Sequence, residues 1–211
     1  MYKISSKKYL NPTVVEMKIS APLIANKALP GQFVILRVNE EGERIPLTIA
    51  GVDKELGLVK IIFQIVGATT LLLSKKECGD CINDFVCPLG KPTNLDHLQK
   101  GCVSGGGDGC AITLPIVEYL HQIGANVTSI SGFRNKDLVI LEEEFISNSN
   151  RHILMSDDGS AGRLGNVTIP LKELLEKEPS DEVIAIGPLV MMKYVTLTTK
   201  PYNIPVTVSM N

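Results

Sequence analysis

A chain of 211 residues, 44% hydrophobic and 21% charged, has an ordinary globular balance and room for one or two domains. Its net charge of −2 gives no reason to expect nucleic acid or an anionic membrane as a partner, and no stretch approaches the roughly 20 apolar residues of a membrane-crossing helix. Residues 1–8 are polar and lack the apolar segment of a signal peptide, so a cytoplasmic location is expected, and the five cysteines (Cys78, Cys81, Cys87, Cys102, Cys110) read as reduced thiols.

Along the first half, short β-branched runs predict strands near 13–17, 33–38, 47–51, 58–66 and 82–86. Pro30-Gly31, residues 39–42, Gly57 and Gly79-Asp80 punctuate them at the spacing of an antiparallel barrel, and Pro12, Pro22 and Pro30 argue against long helices. The rhythm changes between 92 and 102. A strand at 101–104 runs into Gly105-Gly106-Gly107, followed by a helix over 111–123 with Gly124 as its C-cap. Further strands are predicted at 127–131, 152–155, 183–186 and 206–209, and helices at 171–177 and 191–199; Glu142-Glu143-Glu144 reads as a solvated helix face. Alternating strands and helices imply a parallel sheet covered on both faces. The expected architecture is therefore an antiparallel β-barrel over residues 1–96 and an α/β parallel-sheet domain over 97–211.

Three segments carry chemistry. In Arg44-Ile45-Pro46-Leu47-Thr48-Ile49, Arg44 and Thr48 are an even number apart, so a regular strand points both at one face. A guanidinium suits a pyrophosphate and a hydroxyl suits a flavin edge, although Arg44 reads equally as a surface charge and Thr48 as a strand former. In Val66-Gly67-Ala68-Thr69-Thr70, a strand ends and a helix opens, which offers backbone N–H groups to an anion; a simple N-cap by Thr69 or Thr70 is the alternative. The third is Gly105-Gly106-Gly107-Asp108-Gly109 between a strand and a helix, where glycines either admit a ligand or permit tight packing.

The order Gly31-Gln32-Phe33, Arg44 to Ile49, Val66-Gly67-x-x-Thr70, Pro88-Leu89-Gly90-Lys91-Pro92, Ser104 to Ala111, Gly132 to Asp137, Ser156 to Ser160 and Ile186 to Met192 resembles the ferredoxin–NADP reductase superfamily. The resemblance is to its small-subunit branch, which contains the electron-transfer subunit of dihydroorotate dehydrogenase, the sulfide dehydrogenase subunit and the small subunit of NADH-dependent reduced-ferredoxin:NADP oxidoreductase. It implies an FAD-binding barrel with Arg44 on the pyrophosphate, Pro46, Leu47 and Thr48 along the flavin and its ribityl chain, and Val66, Gly67, Thr69 and Thr70 in a phosphate-binding turn. It implies an NAD(P) site at Gly105, Gly106, Gly107, Gly109, Asp157, Asp158, Gly187 and Pro188. The implied activity is NAD(P)H-linked electron transfer through FAD to a larger redox subunit, with no catalytic side chain. A cofactor-holding or structural subunit without catalysis, and a free-standing flavin reductase, are the alternative readings.

Departures from the family pattern shape the remaining expectations. Ala68 stands where the family often has a basic residue, and Ile112 where it often has a proline. Asp108 places a carboxylate at a helix N-terminus, where it would repel a pyrophosphate and occupy the same donors, so NAD(P) binding is expected to be weak, or to need a partner subunit that reshapes the loop. Arg134 could read a 2′-phosphate or pair with Asp137. Asp157-Asp158-Gly159-Ser160 is either a nucleotide-side turn or an Asx turn. The family's [2Fe–2S] cluster needs four clustered cysteines; only Cys78-x-x-Cys81 is paired here, and no metal site is expected. His97, His121 and His152 lack ligand or triad spacing.

Overall fold

The computed structural model describes residues 1–209 and divides the chain into two units, Met1–Thr93 and a second beginning at Asn94. In the first unit, alternation builds the sheet. Strand β1 (Tyr2–Asn11) pairs antiparallel with β2 (Val14–Ser20), where Val15, Met17 and Ile19 are fully buried while Glu16 and Lys18 are half-buried between them. A four-residue helix α1 (Pro22–Ala25) leads to β3 (Phe33–Arg37), β4 (Arg44–Asp53), β5 (Leu58–Gln64), helix α2 (Ala68–Ser74), β6 (Cys81–Ile82) and β7 (Asp84–Leu89). The sheet order is β6-β1-β2-β5-β4-β3-β7, antiparallel throughout. Its two edge strands are successive in the chain and joined by Asn83 alone, so the sheet curls into a nearly closed barrel. Asn83 N–H donates to the carbonyl of Arg37 at 3.1 Å at that junction. The interior is filled by residues such as Ile4, Met17, Leu36, Ile61 and Phe85.

The second unit is a six-stranded parallel sheet. Strand β8 (Lys100–Gly106), helix α3 (Gly109–Gln122), β9 (Asn126–Phe133), α4 (Glu142–Ser147), β10 (Arg151–Ser156), β11 (Arg163–Leu164), α5 (Thr168–Lys177), β12 (Glu182–Ile186), α6 (Leu189–Thr199) and β13 (Val206–Val208) follow in turn. The order across the sheet is β11-β10-β9-β8-β12-β13. Gly124 follows α3 with φ +82°, the left-handed conformation expected of a glycine ending a helix.

The strand expected over 82–86 is split at Asn83 into β6 and β7, and β1 and β11 form where the sequence pattern marks no strand. Among the described residues no helix is long and apolar enough to cross a membrane.

One half-buried group ties stability to pH. The His152 ring stacks on Phe145 at 5.4 Å, and its Nδ1 lies 2.7 Å from Ser129 Oγ, itself 2.7 Å from Ser149 Oγ. Ser149 donates its hydrogen to the Phe145 carbonyl, so Ser129 donates to Ser149 and His152 Nδ1–H donates to Ser129. Nδ1 therefore carries a proton, and Nε2 is buried without a partner, so a second proton there would find no acceptor. Burial pushes its pKa from 6.5 down to about 4. The unfolded chain then binds the extra proton between those values, so stability is full above pH 6.5 and falls as pH drops towards 4. After allowance for partial exposure the loss is on the order of 1–2 kcal/mol. Urea unfolding across this range should show that slope, and a His152→Phe chain should show less of it.

Candidate functional site

Besides the unpaired edges at β6 and β7, the sheet opens internally, between β4 and β5. The β4–β5 register runs from Asp53↔Leu58 to Ile49↔Ile61 and stops there. Beyond that pair β4 continues towards Arg44 and β5 towards Gln64 without pairing each other, while β5 keeps its pairs with β2 as far as Val14↔Gln64. Ile49 N–H donates to the Gln32 carbonyl at 3.0 Å, which fixes the phase of the β3–β4 ladder. With the Thr48↔Phe33 and Leu47↔Val34 pairs that follow, the peptide groups of Thr48, Pro46 and Arg44 face the unpaired edge. Pro46 is tolerated because no ladder donor is needed at its position.

Side-chain parity sorts the strand in the same way. Ile45 and Leu47 pack against the barrel core, whereas Arg44 and Pro46 are exposed and Thr48 is half-buried. Arg44 and Thr48 thus share one face, as the sequence suggests. Leu47 does not: its side chain is turned to the core and its peptide to β3.

On the facing lip, Gly67 precedes α2 in extended conformation. Thr70 Oγ1 accepts the N–H groups of Val66 and Gly67, both at 3.0 Å, and donates to the Gly67 carbonyl at 3.1 Å. That satisfies the whole hydroxyl, so Thr70 shapes the turn. The N–H groups of Ala68, Thr69 and Thr70 have no acceptor within the helix. A Cβ placed on Gly67 would meet nothing within 4 Å, and its φ of −152° suits any residue. Nothing in the chain's own packing requires glycine there.

In the second unit the strand order reverses between β8 and β12, the point at which open parallel sheets leave a crevice beyond their carboxyl ends. Gly106 ends β8 and Ile186 ends β12, so Gly105, Gly106, Gly107, Gly109, Gly187 and Pro188 meet at that crevice. Most of these glycines are explained by packing. A Cβ on Gly105 would approach Thr113 Oγ1 at 2.8 Å and Cys110 Sγ at 2.9 Å. One on Gly106 would strike Met191 Sδ at 2.3 Å, and one on Gly109 the Ile186 carbonyl at 2.3 Å. Only Gly107, at φ +55°, faces open space among these loop glycines on β8 and α3.

Asp108 is exposed at the start of α3 and makes no capping bond, so it leaves the helix donors unoccupied, contrary to expectation. Its carboxyl is nevertheless raised in pKa because the surrounding loop desolvates it. Asp157 and Asp158 follow β10, two strands away from the reversal. Asp158 Oδ1 accepts from Ser160 N–H (2.9 Å) and Oγ (2.6 Å), the Asx-turn alternative, and these bonds lower its pKa. Arg134 is exposed beyond β9 and has no ion-pair partner among the described residues.

Comparison with known proteins fixes the family. The chain is 41% identical over 198 residues to the dihydroorotate dehydrogenase B (NAD(+)) electron transfer subunit homolog of Thermotoga maritima, covering 94% of this chain and 70% of that one. It is 32% identical over 203 residues to the electron transfer subunit of Desulforamulus reducens, covering 94% and 77%. This chain belongs to the dihydroorotate dehydrogenase B electron-transfer subunit family. A solved structure of NADH-dependent reduced ferredoxin-NADP oxidoreductase, described for flavin-based electron bifurcation, superposes with TM-score 0.90 at 35% identity, over 100% of this chain and 76% of that one. No family model matches the chain.

Within this family member, the thiols of Cys87, Cys102 and Cys110 are pushed by burial to about 12 and are inert packing groups at neutral pH. Cys78 is exposed and its Sγ donates to the Ser5 carbonyl at 3.1 Å. No group of three or more His, Cys, Asp or Glu side chains is arranged to hold a metal among the described residues. A cavity lined by Asp96, Leu98, Gln99, Ile123, Gly124 and Ala125 lies at the amino ends of β8 and β9, away from the crevice. No local motif marks Arg37 and Asp84, yet both sit beside Arg44: Asp84 Oδ2 lies 2.7 Å from Arg37 Nε and 3.1 Å from Arg44 Nη2.

The two kinds of glycine separate by substitution. Gly109→Ala drives a methyl into a backbone carbonyl and is expected to destabilise by roughly 2–4 kcal/mol. Gly67→Ala, with open space and a compatible φ, should cost no more than about 1 kcal/mol, the scale of an N-cap change. Thermal and urea unfolding of the two variants checks the contrast.

Proposed function

We propose that the chain holds FAD in its first unit and works as the electron-transfer subunit of an oxidoreductase complex, with a nicotinamide nucleotide as donor and a larger redox subunit as partner. In this reading residues 1–96 form the flavin domain and 97–211 the nucleotide domain, and free thiols, two of them buried and one half-buried, suit a reducing cytoplasm. The observation that carries the proposal is the open β4–β5 edge, with Arg44 and Thr48 on one lip and the Gly67 turn on the other.

The residues present fit the group. Arg44 uses one Nη in an ion pair and keeps its remaining guanidinium donors for a pyrophosphate. The peptide edge at Thr48 and Pro46 offers a donor and acceptors to a flat heterocycle, and the Thr48 hydroxyl is the nearest side-chain candidate. The side chain absent at Gly67 leaves space that a phosphate would fill, beside the N–H groups of Ala68 and Thr69. Thr70 holds that turn in shape and Val66 leads into it; Leu47 contributes packing from beneath. When bound, FAD supplies the redox chemistry, accepting a hydride and releasing electrons singly. The chain's work is binding and orientation, so no side-chain acid–base pair is assigned.

NAD(P) is assigned to the crevice at Gly107, Gly187 and Pro188, with Asp108 as an opposing charge. That carboxylate favours a second reading, a flavin-holding subunit that does not itself turn over nucleotide. The two are separated by dye reduction with NADH in the absence of a partner: turnover supports the first and its absence the second.

Titration with FAD, followed by quenching of flavin fluorescence, tests the main proposal. A one-to-one complex is expected, and Arg44→Ala should weaken it by roughly 10- to 100-fold, the range of a lost charge-assisted hydrogen bond. A chain that stays colourless and takes up no FAD would overturn the reading. Asp108→Asn removes one charge within a few ångströms of the proposed diphosphate site. It should tighten NADH binding by roughly three- to tenfold, and wild-type binding should strengthen as pH falls through the raised Asp108 pKa.

A further inference from the structure

Arg44 is one of three charged side chains set in a row across three strands. Arg37 on β3 stands opposite Arg44 on β4 and opposite Asp84 on β7. Two cations directly across a ladder repel each other, which would drive the more exposed one, Arg44, out into solvent. Asp84 Oδ2 instead lies between them: it accepts a hydrogen bond from Arg44 Nη2 at 3.1 Å and sits 2.7 Å from Arg37 Nε as a charge contact, the Nε–H not being aligned on it. Its other oxygen accepts from Asn83 Nδ2 at 3.4 Å, and Arg37 is further fixed by donating Nη1 to the Glu40 carbonyl at 2.8 Å.

The burial of the three side chains is graded: 22% exposed for Arg37, 27% for Asp84 and 60% for Arg44. Arg37 and Asp84 thus make a mostly covered, mutually neutralised pair tied down by backbone and amide bonds. Arg44 is attached to that pair by one corner only, and the pair leaves its positive charge uncompensated. A long side chain that would otherwise sample many rotamers is held at the mouth of the open edge with its other donors outward. Such restraint lowers the ordering cost of binding an anion.

We infer that Asp84 is a positioning residue for Arg44, setting the guanidinium for the diphosphate of a dinucleotide, with Arg37 as the anchor that keeps Asp84 in place. The inference rests on the FAD reading above. It makes Asp84, an acidic residue beside an anion site, a contributor to affinity, where simple charge counting would make it a competitor.

A double-mutant cycle on FAD binding decides between those signs. Asp84→Asn keeps the shape and is expected to weaken FAD by roughly tenfold. Asp84→Glu, which retains the charge, should recover part of that loss. On an Arg44→Ala background Asp84→Asn should have little further effect, because the residue it positions is gone. Asp84→Asn binding FAD as tightly as wild type, or tighter, while Arg44→Ala binds weakly would overturn the inference and leave the flavin site standing. An equal loss on both backgrounds would also overturn it, since a general loosening of the barrel does not depend on Arg44. An Arg44→Ala chain with unchanged FAD affinity would remove the site reading itself, and the inference with it.

Discussion

The barrel depends on where one ladder ends. Strands β4 and β5 pair as far as Ile49↔Ile61 and then separate, so a nearly closed sheet acquires an edge that its own strands do not cover. Unpaired peptide groups are costly when buried and hazardous when exposed, because they invite pairing with another chain. Here the exposed edge is short and carries a proline, a charged arginine and a threonine, which makes it a poor template for a further strand and a suitable one for a flat polar ligand. The Ile49-to-Gln32 hydrogen bond sets the phase that turns Pro46 and Thr48 to that edge. A shift of one residue would turn Arg44 and Thr48 inward and bring Ile45 and Leu47 to the surface.

From that opening the other features of the first unit follow. Thr70 ties its hydroxyl into the turn on the facing lip and leaves the next backbone donors unpaired. Gly67 has neither a positive φ nor a close neighbour to justify it, whereas Gly105 and Gly109 are demanded by close contacts within the second unit, and Gly106 lies against the movable thioether of Met191. The distinction is useful because both segments look alike as glycine-containing turns between strand and helix. One shows glycines that hold the protein together, and the other a glycine that leaves room for something else.

Much of this was legible in the sequence, for identifiable reasons. β2 alternates between buried and half-buried residues, β5 is a nearly continuous apolar run, and both stand out near their observed positions; the second unit's strands and helices carry clean apolar runs. β1 was invisible because only Ile4 of its ten residues is buried in the core, so it has almost no hydrophobic period. The shared face of Arg44 and Thr48 follows from parity alone, and parity could equally have excluded Leu47. Asp84 lies 40 residues from Arg44 and becomes its neighbour only through strand order, which a local motif does not contain. The same holds for the reversal between β8 and β12: the glycines that mark it are visible in the sequence, but the order that makes them a crevice is not. Asp108 stands in the position of a helix cap, yet its side chain takes none of the helix donors, so its opposition to an anion is one of charge alone.

In the proposed function, a flavin nucleotide binds at the open β4–β5 edge. Hydrogen–deuterium exchange of the chain with and without FAD tests it most directly, because it reads backbone amides without requiring turnover. Slowed exchange on adding FAD is predicted in the segments 44–49 and 66–70, with little change in β1 or β2. Unchanged exchange in both segments, or protection confined to residues 105–109 and 187–190, would contradict it.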